Sequence, residues 1–413
     1  METLKSHYAQ LLGLDSLWSV VKVQLELTGK SVTIQLEYRG NGGVCPECGA
    51  GCGLKDHAPE RRWRHLDTMQ FETILEARIP RVNCADCGVR TVEVPWAEKH
   101  SRFTLLFEAF AIEVLQCAGN VKAAAQLLGL SWESAHTILH RAVVRGMERR
   151  ELSGLKYVGL DEKSFRKGQD YVSVMTDTTG SRVIEVSEGR SSESADLLWK
   201  SLTKREQESL QAVSMDMSQT YESSVAKHAP QAEIVFDRFH ISKHLNEAVD
   251  KVRRTEHREL MQDGDERLKG SRQLWLFNPE NLDDTREQQF NALQKQQLRT
   301  SRAWAIKDYF RWFWEEPNAV AAGEFFNHWY TWAIRSRLEP IKKVARMLRQ
   351  RVDRILTWFR HPISNAAAEG FNSRIQSIKS NARGFRAFVN YRARILFYCG
   401  DLDLKPHFQR PLN

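Results

Sequence analysis

Apolar and polar positions alternate with a period of two over residues 20–27 and 31–38, two stretches split by Thr28-Gly29-Lys30. That alternation and its polar break predict a β-hairpin, and residues 71–81 read as a further strand. From Phe103 the spacing changes to three and four, so residues 103–117 form an amphipathic helix. Residues 121–131 give a short helix with an alanine-rich centre and a turn at Gly129, and Ser131 caps a second helix opening with Trp132. Small alanines let two helices approach closely. The pair predicts a helix-turn-helix whose Trp132, Glu133, His136 and Arg141 face outward toward a DNA groove. An ordinary helical hairpin is the competing reading.

Strand-like runs return at residues 157–161, 171–177 and 182–186. A helix over 194–210, a strand over 212–216, a helix over 221–228 and a strand over 233–237 follow. Three hairpin-like strands and then helix, strand, helix and strand predict an RNase-H-like sheet with its first and fourth strands side by side. From residue 240 to about 360 the pattern is helical, charged and unusually aromatic. The aromatic residues of 304–314 and 325–332 are expected to be mainly helix core, with one or two able to stack on an unpaired base. His361-Pro362-Ile363-Ser364-Asn365 breaks this pattern and starts a last helix bearing Glu369, Asn372, Arg374 and Lys379.

Composition adds location and partner. With 413 residues, 42% hydrophobic and 27% charged, the chain has room for several domains of ordinary soluble make-up. No apolar run approaches a membrane span and the first residues lack signal-peptide character, so a cytoplasmic protein with no membrane partner is expected. The net charge of +8 is unevenly placed, because residues 331–413 hold 17 Lys and Arg against 5 Asp and Glu. A basic C-terminal fifth around Glu369 is the footprint of a polyanion held beside an acidic centre, with Asn372, Arg374 and Lys379 among the DNA contacts. A solvated basic helix face is the plainer alternative.

The seven cysteines point to metal or free thiols rather than disulfides. Cys45-Pro-Glu-Cys48 and Cys84-Ala-Asp-Cys87 are separated by 35 residues, and each is followed by glycine. Each knuckle offers two thiolates from one tight turn, so the four predict tetrahedral Zn²⁺ in a structural role, since no coordination position stays open for chemistry. Cys52 and His57 are spare donors.

Three carboxylates stand apart from the other acids. Asp161 and Asp216 end short apolar strands, and Glu369 lies at the start of the last helix. Carboxylate oxygens suit Mg²⁺ or Mn²⁺. Two such ions about 4 Å apart activate a water or a 3′-hydroxyl and stabilise the leaving oxygen in phosphodiester displacement. Asp161 would bridge them, with Asp216 and Glu369 outside. Asp237 also ends a strand and competes for the second place; Asp216 is preferred because its strand adjoins the first. His240 would orient a ligand, contact a phosphate, or simply be structural.

The expected whole is a multidomain α+β chain. It has a zinc-binding N-terminal β module (1–100), a helix-turn-helix (101–152) and the first part of an RNase-H-like catalytic core (153–245). An all-α insertion (246–360) and a C-terminal helical part with the glutamate (361–413) complete it.

Several motifs come in a fixed order. The knuckles enclose Trp63-Arg-His-Leu-Asp67 and Arg81-Val-Asn-Cys84; then come the helix-turn-helix, Gly159-Leu-Asp161-Glu162, Asp216-Met-Ser-Gln-Thr-Tyr221, Asp237-Arg-Phe-His240 and Ser364-Asn-Ala-Ala-Ala-Glu369-Gly-Phe-Asn372. In this order the chain resembles the ISL3 family of bacterial insertion-sequence transposases over nearly its whole length. The resemblance implies an RNase-H-like Asp-Asp-Glu domain interrupted by helices before the glutamate, and 152 residues do separate Asp216 from Glu369. In the wider Mutator-like group a Cys-x-x-His follows the second aspartate. Asp237-x-x-His240 stands in that place, which supports Asp216 and leaves the role of Asp237 open. The expected function is binding of terminal inverted repeats, metal-dependent cleavage at the element ends and joining of the 3′-hydroxyl to target DNA, by a homodimer or larger assembly. A DNA-binding regulator with an inert catalytic domain, and a nuclease without strand transfer, are the alternatives.

Overall fold

The computed structural model describes residues 2–166, 170–363 and 366–407; the side chains of 366–369 lie outside that description. The chain divides into two compact units, one running to Arg150 and resuming at Leu402, the other spanning Glu151–Asp401. Among the described residues no helix is long and apolar enough to cross a membrane.

The first unit opens with α1 (Glu2–Leu11) and six strands: β1 (Trp18–Glu26), β2 (Ser31–Tyr38), β3 (Gly42–Val44), β4 (Gly51–Thr68), β5 (Phe71–Cys84) and β6 (Gly88–Thr91). They form one sheet in the order β1-β2-β5-β4-β3, with β6 also paired to β5. The predicted hairpin is β1–β2, whereas β2 and β5 run parallel. The 18-residue β4 is not foreseen by the sequence. It carries charges through its length and register breaks at 54/56, 57/60 and 65/68. Pro59, which lacks an N–H to donate, falls inside the second of these breaks. The core under this sheet is aromatic, with Trp96 meeting Trp18 and Trp63 edge-on at 4.7 and 5.5 Å between centroids.

Helices α2 (Leu105–Ala118), α3 (Val121–Leu127) and α4 (Trp132–Arg149) complete the unit. Asn120 caps α3 by accepting the Ala123 N–H at 2.9 Å, and Ser131 caps α4 through the Ser134 N–H at 3.1 Å. Between them Gly129 takes φ +63°, a left-handed turn that a side chain would strain. Ala124, Ala125, Ala135 and Ala142 are buried, so α3 and α4 pack closely.

The second unit is built on β7 (Tyr157–Ser164), β8 (Tyr171–Asp177), β9 (Arg182–Glu188), β10 (Ala212–Met215) and β11 (Glu233–Phe236), in the spatial order β11-β10-β7-β8-β9. The first three are antiparallel neighbours, while β10 lies parallel to both β7 and β11. The first and fourth strands of this unit are therefore side by side. The segment expected as one helix over 194–210 is two, α5 (Ser192–Trp199) and α6 (Lys204–Ser209), because Thr203 and Glu206 form a capping box that starts a new helix. Helix α7 (Gln219–His228) then leads to β11.

After β11 the regular elements are helical: α8 (Arg238–Gln262), α9 (Arg272–Leu276), α10 (Asp284–Gln294), α11 (Arg299–Tyr309), α12 (Ala319–Arg335), α13 (Glu339–Arg349), α14 (Val352–Leu356), α15 (Ala366–Asn381) and α16 (Phe388–Cys399), with short 3₁₀ turns between some. Sheet residues Val158, Val213 and Phe236 share one buried cluster with Ile306, Phe310, Phe313 and Trp329 of the helical part. Helix α16 packs on β9, where Arg392 makes a two-pronged contact to Glu185 at 2.7 and 2.6 Å.

Candidate active site and metal centre

The two cysteine knuckles meet. The sulfurs of Cys45, Cys48, Cys84 and Cys87 all lie within 4.8 Å of one another. Four thiolates at about 2.3 Å from a central Zn²⁺ would stand a little under 4 Å apart, so the donor set and its spacing fit that ion. Gly49 and Gly88 have φ +75° and +72°, the left-handed step that folds each knuckle back on its sulfurs. Backbone N–H groups of Cys87 and Asp86 reach the Cys84 sulfur and lower its pKa to about 6, so a thiolate is at hand at neutral pH. Cys52 and His57 are not members of the cluster.

On α4, Trp132 and Glu133 are exposed, and His136 is half-buried with its ring stacked on Trp132 at 4.5 Å. Arg141 departs from expectation. It turns to Glu98 at 2.6 Å and joins a cluster in which Arg145 pairs with buried Glu108 at 2.9 Å. A buried carboxylate needs a cation, and two arginines one turn apart on α4 supply that charge together.

In the second unit, Asp161 sits within β7 rather than at its end, because the strand continues to Ser164 and pairs Asp161 with Val174. Its carboxylate meets Lys163 at 2.8 Å and Asn372 at 3.2 Å. Lys163 lies two residues on, hence on the same strand face. Asp216 follows β10 directly, and β10 is registered with the first half of β7. The Oδ1 of Asp216 is buried with no hydrogen-bond partner. Burial pushes its carboxyl above the ordinary range, against the pull of His240 and with a further push from Asp161. Glu162 is also raised, by burial and then by the charge of Asp216.

Asp237 is placed differently. Its Oδ1 accepts the Phe239 N–H at 3.2 Å, capping α8, and its Oδ2 faces His240 Nδ1 at 3.0 Å. That hydrogen bond raises the His240 pKa against the opposing effect of burial, with further pushes from the charges of Asp237 and Asp216. Helix α15 is tied to β7 twice, through Asn372 and through Lys379, which donates to the Ser164 carbonyl at 2.9 Å. Arg374 is exposed on the same helix. Glu369 belongs to α15, but its side chain lies outside the described residues.

Sequence reasoning gave no role to three groups at this site: Lys163, Glu162 and Tyr221. Tyr221 donates to Ser173 Oγ at 2.9 Å and reaches the Asp161 carbonyl at 3.4 Å, bracing β7 and β8 from α7. The two-residue step from Asp161 to Lys163 was the available signal for the first of them.

Comparison with known proteins bears on each part. Residues 158–395 match the ISL3 family domain described as a transposase. Residues 92–143 match the helix-turn-helix domain of transposase family ISL3, and residues 42–87 match the zinc finger of the transposases of IS204, IS1001, IS1096 and IS1165. The transposase for insertion sequence element IS1001 of Bordetella parapertussis is 30% identical over 364 residues, 87% of this chain and 89% of that protein. The transposase for element IS1557 of Mycobacterium tuberculosis is 25% identical over 412 residues, 92% of each chain. With zinc-finger, helix-turn-helix and transposase segments in that order along one polypeptide, the chain belongs to the ISL3 family of transposases.

Proposed function

We propose that this DNA-binding insertion-sequence transposase cuts and joins DNA at an Asp-Asp-Glu site on an RNase-H-like core, formed by Asp161, Asp216 and Glu369. The observation that carries the reading is the pairing of β7 with β10, which sets Asp161 and Asp216 on adjacent parallel strands, together with the unpartnered buried Oδ1 of Asp216. A buried anionic oxygen with no donor is the kind of group a divalent cation satisfies. Glu369 precedes Asn372 by three residues, a step that would put the two on one helix face, and Asn372 reaches Asp161. Mg²⁺ or Mn²⁺ held there would supply activation of a water or 3′-hydroxyl and stabilisation of the leaving oxygen.

The chain's own groups do the rest. Lys163 and Asn372 fix the Asp161 carboxylate, and the raised His240, held by Asp237, sets a positive field beside Asp216. Asp237 thus acts as a positioning residue, with both oxygens already engaged. The alternating strands and helices of 157–236 support the RNase-H-like reading, and the helices between β11 and α15 support the all-α insertion. Trp132, Glu133 and His136 on α4 would meet the terminal inverted repeats; Arg374 and Lys379 would meet phosphates near the acids. Cleavage at two ends calls for a dimer or larger assembly.

The test is a supercoiled plasmid carrying the gene's own flanking DNA, incubated with purified protein and Mg²⁺ or Mn²⁺. Wild type is expected to cut at the element boundary and give strand-transfer products. Asp216→Asn and Glu369→Gln abolish both, and Asp237→Asn slows them. Cleavage lost with Asp237→Asn but kept with Asp216→Asn would overturn the assignment of the second acid.

A further inference from the structure

A cleft of about 1030 Å³ runs along α8 from Arg238 to Arg254 and is closed by α9, α11 and the 3₁₀ turn Phe310–Glu315. Arg238 and Phe239 of its wall stand between Asp237 and His240 in the chain. Two aromatic side chains lining it, Phe239 and Trp312, are 56% and 61% exposed. Trp312 is the exposed aromatic of its turn, since Phe310, Phe313 and Trp314 around it are buried. Lys243 and Lys251 lie eight residues apart on α8, exposed on one face, and among the described residues neither is paired with a carboxylate. The acid Asp250 is already held by Arg253, Arg254 and Arg272 at 2.8, 3.2 and 3.6 Å, which leaves Glu247 as the carboxylate between the two lysines. Between them, too, Asn246 keeps its Oδ1 buried without a hydrogen-bond partner.

We propose that this cleft binds an unpaired DNA strand next to the acidic site, with bases stacked on Phe239 and Trp312 and phosphates met by Lys243 and Lys251. Exposed aromatic faces interleaved with unpaired cations are the combination single strands need, because every base has a face to stack and every nucleotide a charge to neutralise. The Asn246 acceptor can take an N–H from the Watson–Crick edge of a base, an edge that only an unpaired base presents. Size argues the same way. Pockets of about 300–1,000 Å³ enclose drug-sized ligands, so this cleft admits one or a few nucleotides and excludes a duplex.

The proposal rests on the reading of the chain as a transposase acting at Asp161 and Asp216, but its test does not use cleavage. Full-length protein is titrated, without added divalent metal, against a fluorescein-labelled short oligothymidylate and a blunt duplex of equal length. Trp312→Ala is expected to weaken the oligothymidylate about tenfold, while duplex affinity stays unchanged. Trp332→Ala, which alters an exposed aromatic outside the cleft, leaves both as in wild type. Lys243→Gln with Lys251→Gln should lower the salt slope for the single strand by about 1.4, the share of two phosphates. Equal single-strand affinity in wild type and Trp312→Ala overturns the proposal, as does thymidine monophosphate binding as tightly as the strand. A protein that binds the strand through Trp312 but never cuts plasmid sinks the catalytic reading alone. Asp216-dependent cutting with a silent Trp312→Ala sinks this one alone.

Discussion

Asp216→Asn separates stability from activity. In the folded chain the Asp216 carboxyl is raised above the 3.8 of an unperturbed aspartate, chiefly by burial. The native state therefore binds its proton more tightly than the unfolded state does. As pH rises above about 4 the unfolded state ionises freely while the folded one resists, so this group destabilises the fold progressively until its folded pKa is passed. Asparagine carries no charge at any of these pH values. At neutral pH Asp216→Asn is expected to gain about 0.5–2 kcal/mol, the usual size for relieving a strained functional site. At roughly 2 °C per kcal/mol for a unit of this length, melting rises by about 1–4 °C. Below pH 4 the gain disappears. Mg²⁺ or Mn²⁺ at a hundred times its Kd should stabilise wild type by about 2.7 kcal/mol, or roughly 5 °C, and leave Asp216→Asn unmoved. Differential scanning fluorimetry over pH and metal concentration reads both. A variant less stable than wild type at pH 7, or one with an undiminished metal shift, refutes the reasoning.

Two further outcomes follow from other sites. One zinc per chain is expected by elemental analysis, and Cys84→Ser or a strong chelator should change the fluorescence of buried Trp63 and Trp96 as the first sheet loosens; an unchanged spectrum would remove the metal from the fold. Lys307 is buried and donates to the Trp275 and Leu276 carbonyls at 3.1 and 3.4 Å, and burial depresses its pKa to about 8. Its folded pKa lies below the unfolded value of 10.5, so wild-type stability rises with pH between 8 and 10.5. The stability difference from Lys307→Met should change across that window by about 3 kcal/mol, and a difference flat with pH would show that the amine titrates alike in the folded and unfolded states.

Much of the fold could be read from periodicity, for physical reasons that also mark where reading failed. Residues 31–38 and 171–177 alternate or are evenly apolar, and both are strands with those bounds. Strand β4 is hidden because bulges reset its alternation and seven of its eighteen residues are charged. The break between α5 and α6 was written in Thr203 and Glu206, a local cap inside a run that looks continuous. Arg141 shows the limit of helical-face arguments: its position faces outward by spacing, but Glu98, 43 residues earlier, draws it in. The same limit applies to Asp237, whose strand-end setting resembles that of Asp216. Only three-dimensional contacts reveal that one carboxylate has both oxygens engaged and the other has one without a donor.

The hydrogen bond from Asn372 to Asp161 joins residues 211 positions apart. Closing so long a loop is entropically slow and needs the intervening helices in place. During synthesis, the zinc module and helix-turn-helix leave the ribosome first. The partner of Asp161 emerges only near the end. A chain that stalls or is clipped before α15 lacks this partner of Asp161, and it also lacks the segment from Leu402 whose Leu404 carbonyl accepts from Arg145 of α4 at 2.6 Å. Both compact units are therefore finished only once the end of the chain has been made.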